Sequence, residues 1–148
     1  IKGLPYPSMT LEEICALDVE NLSEKDSHLW LWTTWNFLWD APRVVASWGF
    51  TPSYMLMWAK SGLGVGGRFR HSSEYCLFCE RGRQLPITRR DVGTWFNWPR
   101  GQHSQKPDAF YDLVESVSPN PRVELFSREQ RLGWSTWGNE CFQHVALA

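Results

Sequence analysis

Apolar residues recur along the chain in two rhythms, short unbroken runs of strand length and longer stretches with one apolar face, and the two alternate. The first ordered signal is "MTLEEICALD", a helix start with Thr10 as N-cap, Glu13 three residues on to close a capping box, and Met9 placed to staple onto Ile14. "HLWLWTT", residues 28 to 34, is an apolar run of strand length. "WDAPRVVASWGF" follows as a helix, with Pro42 tolerated in its first turn and Gly49 as its stop. "SYMLMWAK" is the next strand. After it comes the glycine-rich loop "SGLGVGGRFRHSS" and then the strand "EYCLFCERG". "TWFNWP", residues 94 to 99, reads as a further short strand. "PDAFYDLVESV" is an amphipathic helix with Phe110, Leu113, Val114 and Val117 on one face and Pro107 in its first position, and "RVELFS" is a strand again.

Strands separated by helices predict an α/β layered sheet, in which ligands bind at the carboxyl ends of the strands. Three places then matter, the segments after "LWLWTT", "MLMWAK" and "VELFS". The last carries Arg128, with Asn139 and Glu140 in the "GWSTWGNE" beyond it, and Lys106 stands at the start of the helix that precedes the strand. A helix start and a strand end can face one ligand edge.

Composition narrows the classes. At 148 residues and 17.3 kDa the chain fits one domain, residues 1–148, and its net charge of -1 gives no global pull toward a polyanion. Hydrophobic residues make up 43%, yet no run approaches the roughly 18 to 20 apolar residues of a membrane span, and no charged-then-apolar signal opens the chain. The expected location is cytoplasmic, away from membranes. Cys15, Cys76, Cys79 and Cys141 are too scattered for a disulfide framework. "CLFC" has the spacing of a zinc or redox pair, but in a strand residues three apart point to opposite faces, so two packed thiols and no metal are expected. Most of the ten tryptophans, Trp30, Trp32 and Trp48 among them, are expected in the core.

Charge is unevenly placed. From Lys60 to Lys106 nine basic residues face three acidic ones, whereas residues 1 to 40 hold two basic and seven acidic. Arg68, Arg70, Arg89 and Arg90, interleaved with Phe69, Trp95, Phe96 and Trp98, suit a groove that follows phosphates and stacks bases; the alternative is a solvated basic face.

"LPYPSMTLEEICAL", "HLWLWTT", "WAK" before a glycine-rich loop, "HSSEYCLFCERG", "HSQKPDAFYDLVE" and "ELFSREQRLGWSTWGNE" run in the order found in the N(6)-adenine methyltransferases of the MT-A family, which the chain resembles over nearly its whole length. The resemblance implies a Rossmann-like class I fold in permuted motif order, with S-adenosyl-L-methionine as cofactor. It implies that Lys106 meets the cofactor's methionine carboxylate or ribose side, that Arg128 and Asn139 bond its ribose hydroxyls, and that Phe126 and Glu140 lie nearby. Tyr6 and Glu74 match residues that line the target adenine: Tyr6 would cover the base and Glu74 would accept from its exocyclic amine or position a neighbouring donor.

One departure is large. Family members carry an Asp-Pro-Pro-Trp tetrapeptide shortly before the segment matching "LPYPSM", and it occurs nowhere in this chain. Its aspartate and first proline carbonyl grip the adenine amine, so these residues alone are expected to be poorly active. The chain is therefore read as N-terminally truncated, without the central strand that leads into the tetrapeptide. That reading predicts a gap or a rearrangement between "RVELFS" and "HLWLWTT", and a fully paired sheet with the two side by side would refute it. The activity implied is methyl transfer to the N(6) amine of adenine in DNA or RNA, with compact phage and bacterial relatives favouring DNA. The alternative is a non-catalytic subunit that binds nucleic acid or a catalytic partner. A homodimer or a methyltransferase-like partner is compatible with either.

Overall fold

The computed structural model describes residues 8–101, 105–138 and 147. A four-stranded sheet has the order β1 (Ser27–Thr33), β3 (Ser73–Arg81), β2 (Thr51–Ala59), β4 (Trp95–Phe96). β1 and β2 both run antiparallel to β3, and β4 is parallel to β2. A second sheet pairs β5 (Arg122–Leu125) in parallel with β6 (Trp134–Trp137). The fold is thus mixed α/β around a central sheet.

The sheet separates two cores, which explains why its strands read as unbroken apolar runs. On one face Leu29, Leu31, Leu77 and Cys79 pack with Val44, Val45 and Trp48 of α3 (Ala41–Ser47) and its end, and with residues of α1 (Leu11–Cys15). On the other, Trp30, Trp32, Leu56 and Cys76 pack with Phe110, Tyr111, Leu113 and Val114 of α4 (Asp108–Val117). Cys76 and Cys79 therefore lie on opposite faces, each fully buried, as their spacing on a strand requires. Trp48 is 1% exposed, withdrawing on the order of 200 Å² from water, worth about 5 kcal/mol as an upper bound before entropy. Its indole N–H donates to the Ile14 carbonyl at 3.0 Å, so the polar edge is satisfied as well.

Local signals are obeyed with small shifts. The Glu13 amide donates to Thr10 Oγ1 at 3.1 Å, but the second half of the box differs: the Thr10 hydroxyl donates to the Glu13 carboxylate. The short helix α2 (Val19–Leu22) follows. Gly49 ends α3 at φ 83°, a conformation open to glycine without strain. Pro107 is the cap of α4 and not its first helical residue, since its ψ of 146° is extended. The segment 94–99 yields only the two-residue β4.

β5 does not lie beside β1. The two belong to different sheets, and among the described residues each pairs on one side only. Yet Leu125 and Trp137 pack against the α3 side of the core and Trp134 against the α4 side, so the small sheet continues the layer of the large one. Between them is a cleft of about 1480 Å³ lined by both strands.

Candidate functional site

The chain path brings distant residues to one end of this cleft. α4 starts beside Glu74 at the head of β3 and runs to Ser118, whose hydroxyl accepts from the Trp30 indole at 2.9 Å and meets His28 Nδ1 at 2.7 Å near the start of β1. β5 then returns. Residues just beyond it meet the start of α4 again, through Arg131 to Asp108 at 2.9 Å and Gln105 to Glu129 at 3.3 Å. Glu74, Lys106, Phe126 and Arg128 thereby line the same mouth.

Glu74 is the electrostatic centre. Its Oε1 accepts from Lys106 Nζ at 3.2 Å and its Oε2 pairs with Lys60 Nζ. Burial opposes the charge of Glu74, but Lys106 and Lys60 outweigh it and hold the carboxyl below the usual carboxylate range. Each lysine in turn sits over an indole, Lys60 over Trp58 at 4.9 Å and Lys106 over Trp32 at 5.0 Å. The result is an ionised carboxylate with one lone-pair direction still open on each oxygen, and ammonium groups with donors to spare.

Phe126 holds φ at 58°, a left-handed conformation that costs a non-glycine residue roughly 1–2 kcal/mol. The bend swings the chain out of β5 and leaves the ring 46% exposed at the mouth, edge-on to Trp137 at 5.3 Å. Ser127 is held behind it, donating to the Glu129 carbonyl at 2.5 Å while its amide donates to the Trp137 carbonyl at 3.0 Å. Beneath, Tyr111 donates to Glu124 at 2.6 Å, Glu124 is pushed up by burial, and Arg131 stacks 3.8 Å over the Tyr111 ring. This network bolts α4 to β5 and fixes where Lys106 and Phe126 stand relative to one another.

Tyr6, Asn139 and Glu140 lie outside the described residues, as does Cys141. Of the four arginines grouped by sequence, Arg68 and Arg70 are exposed in the loop that joins β2 to β3 at the mouth end. Arg89 is elsewhere. It makes a two-pronged pair with Asp91, at 3.0 and 2.8 Å, and reaches Ser116 in the last turn of α4, far from the helix start at the mouth. Arg90 is exposed beside it. The four do not form one patch. Lys60 was not singled out by sequence, although it closes "MLMWAK", one of the three strand ends marked by the α/β rule.

The thiols offer no second chemistry: burial pushes Cys76 up, and Cys79 up to about 12, so neither forms a thiolate at neutral pH. Among the described residues no helix is long and apolar enough to cross a membrane.

The MT-A70 family model matches residues 1–140. The type II methyltransferase M.MunI of a Mycoplasma species is 32% identical over 139 residues, covering 91% of this chain and 59% of that protein. A rice protein described as a probable N(6)-adenosine-methyltransferase MT-A70-like is 29% identical, covering 93% of this chain and 21% of its own length. The human N(6)-adenosine-methyltransferase catalytic subunit METTL3 is 28% identical, with 93% and 25% covered. The chain thus spans between a fifth and three fifths of these relatives.

Proposed function

This chain belongs to the MT-A70 family, and on that premise we propose that it is part or all of an S-adenosyl-L-methionine-dependent methyltransferase acting on the N(6) amine of adenine in a nucleic acid. The observation that carries the reading is the convergence of Glu74, Lys106, Phe126 and Arg128 at one mouth of a cleft between two sheets. We read the fold as Rossmann-like of class I with permuted order, β5 being its cofactor-binding strand.

The residues present fit the cofactor. It has a carboxylate, a ribose diol and an aromatic base, and the mouth offers a lysine with spare donors, an arginine and an exposed phenyl face. When bound, the cofactor supplies an electrophilic methyl group on a sulfonium centre. The protein's part is positioning. Lys106 would hold the carboxylate edge, and Arg128 and Asn139 would hold the ribose hydroxyls, with Glu140 as a further cofactor contact. Glu74, kept ionised by its two lysines, would accept from the adenine amine and orient its nitrogen, and Tyr6 would cover the base.

We propose that the separation of the sheets takes one further strand, the one that leads into the Asp-Pro-Pro-Trp tetrapeptide in the family this chain resembles. Of the two substrates we favour DNA, by analogy alone. The test is calorimetric titration of S-adenosyl-L-methionine into the full-length protein and its Arg128→Ala/Asn139→Ala variant, followed by tritium transfer to adenine-containing DNA and RNA oligomers. Saturable binding lost in the variant, with transfer to either oligomer, is expected. Absence of binding by the folded wild type would overturn the enzyme reading in favour of a non-catalytic subunit.

A further inference from the structure

The segment that leaves β1 carries three large rings outside the core. Trp35, Phe37 and Trp39 are 46%, 61% and 73% exposed, and Trp35 and Trp39 meet edge to face at 5.4 Å. Phe37 lines the cleft beside Thr34, so the indole pair stands just outside its rim. Surface indoles held together in this way mark a contact surface.

Their position says what they contact. Because β1 and β2 both run antiparallel to β3, their carboxyl ends lie at the end of the sheet where β3 begins with Ser73 and Glu74. The indole turn and the β2–β3 connection therefore rise from the same edge. That connection extends the hairpin: the Lys60 amide donates to the Ser72 carbonyl at 2.7 Å and the Gly64 amide to the His71 carbonyl at 2.9 Å. A Cβ at Gly64 or Gly66 would collide with the His71 or Phe69 carbonyl, so only glycine lets the two arms close. The tip presents Arg68, Phe69 and Arg70 to solvent, Phe69 at 88% exposure, and neither arginine makes an ion pair among the described residues. No acidic residue occurs from Lys60 to Ser73 or from Thr33 to Trp39.

Exposed rings beside uncompensated guanidinium groups match a ligand with both π-faces and phosphates. An apolar protein partner would have no use for the arginines, and a bare polyanion none for the indoles. We propose that Trp35 and Trp39 form a base-stacking platform for the nucleotides that flank the target adenine, with Arg68 and Arg70 on their phosphates. This rests on the reading that the cleft takes an adenine. A base can enter the cleft only after leaving its stack, and indole faces at the rim replace the stacking its neighbours lose.

The test uses fluorescence anisotropy of the full-length protein with two fluorescein-labelled single strands, a deoxythymidine 12-mer and a 12-mer of abasic spacers. Trp35→Ala/Trp39→Ala is expected to weaken thymidine binding about tenfold or more and to leave the abasic strand unchanged. Trp35→Phe/Trp39→Phe should keep most of the binding, because a π-face remains. Arg68→Ala/Arg70→Ala should weaken both strands and lower the slope of log K against log salt by about 1.4. Thymidine binding untouched by the indole changes would overturn the proposal, the more so if those changes turn a dimer into a monomer in sedimentation. Titration of S-adenosyl-L-methionine into the same preparations separates the two levels. Cofactor binding without base-dependent strand binding defeats the platform alone, and neither in the wild type defeats the enzyme reading with it.

Discussion

Replacing Glu74 by glutamine is the most direct probe of the mouth. The change keeps the shape but removes the one negative charge between Lys60 and Lys106, whose side chains are 23% and 19% exposed against 14% for Glu74. Exposed pairs are worth roughly 0.2–1 kcal/mol, and removing one partner of a buried pair costs roughly 3–5. With three side chains mostly out of water and two cations left facing each other, the expected loss is about 3 kcal/mol. Adding Lys60→Met should restore about half, because only one unpaired ammonium then remains. The pH dependence carries the sign. Glu74 is held below its unfolded value, so its stabilising contribution is complete above about pH 4.3 and is lost as pH falls through the lower folded value. Urea melts of wild type and Glu74→Gln at pH 7 and pH 3 measure this, the gap between the two proteins narrowing as pH falls below about 4.3. A pH 7 difference under about 0.5 kcal/mol, or a gap no smaller at pH 3 than at pH 7, would refute the argument.

Tyr111→Phe removes the 2.6 Å hydrogen bond to half-buried Glu124 and should cost roughly 1.5–3 kcal/mol, read as a lower urea midpoint; an unchanged midpoint would show that the bolt between α4 and β5 is idle. Phe126→Gly relieves a left-handed residue while deleting the ring at the mouth, so stability should move by less than about 1 kcal/mol while S-adenosyl-L-methionine binds about tenfold or more weakly in calorimetry. Cys76 and Cys79 should resist iodoacetamide in the native protein at pH 8 and react on unfolding; labelling of either in the native state, seen by mass spectrometry, would contradict their burial.

What the sequence disclosed and what it hid divide along a physical line. β1 was legible to within a residue at each end because a strand covered on both faces leaves an apolar run with nothing to confuse it. β6 carries no strand signal of its own, since "WSTW" is four residues long and half polar. Thr10, Pro42 and Gly49 were legible because caps and stops act within a turn of themselves. Lys106, Phe126 and Arg128 came from motif resemblance, and the fold brings them together through contacts that no local window contains. Lys60 was missed for that reason: its partner is 14 residues away, across a hairpin. Arg89 shows the converse limit. A count of charges cannot tell an arginine aimed at a ligand from one spent on Asp91 and Ser116.

The division of the layer into two sheets leads to the last test. β1 and β5 flank the cleft, each paired on one side among the described residues, while the side chains above and below the gap join common cores. Strand edges facing one another across an apolar slot are a standing invitation to one more strand, because each unpaired backbone group kept from water costs free energy. If the assigned strand fills the slot, amides on both edges of β1 and β5 exchange slowly in the full-length protein. In residues 1–148 alone, the amides directed into the cleft exchange orders of magnitude faster while those bonded to β3 and β6 stay protected. Hydrogen exchange read residue by residue by NMR makes the comparison. Equal protection in the two proteins would mean that the cleft is open in both, and the strand assignment would fall while the mouth at Glu74 and Lys106 stood.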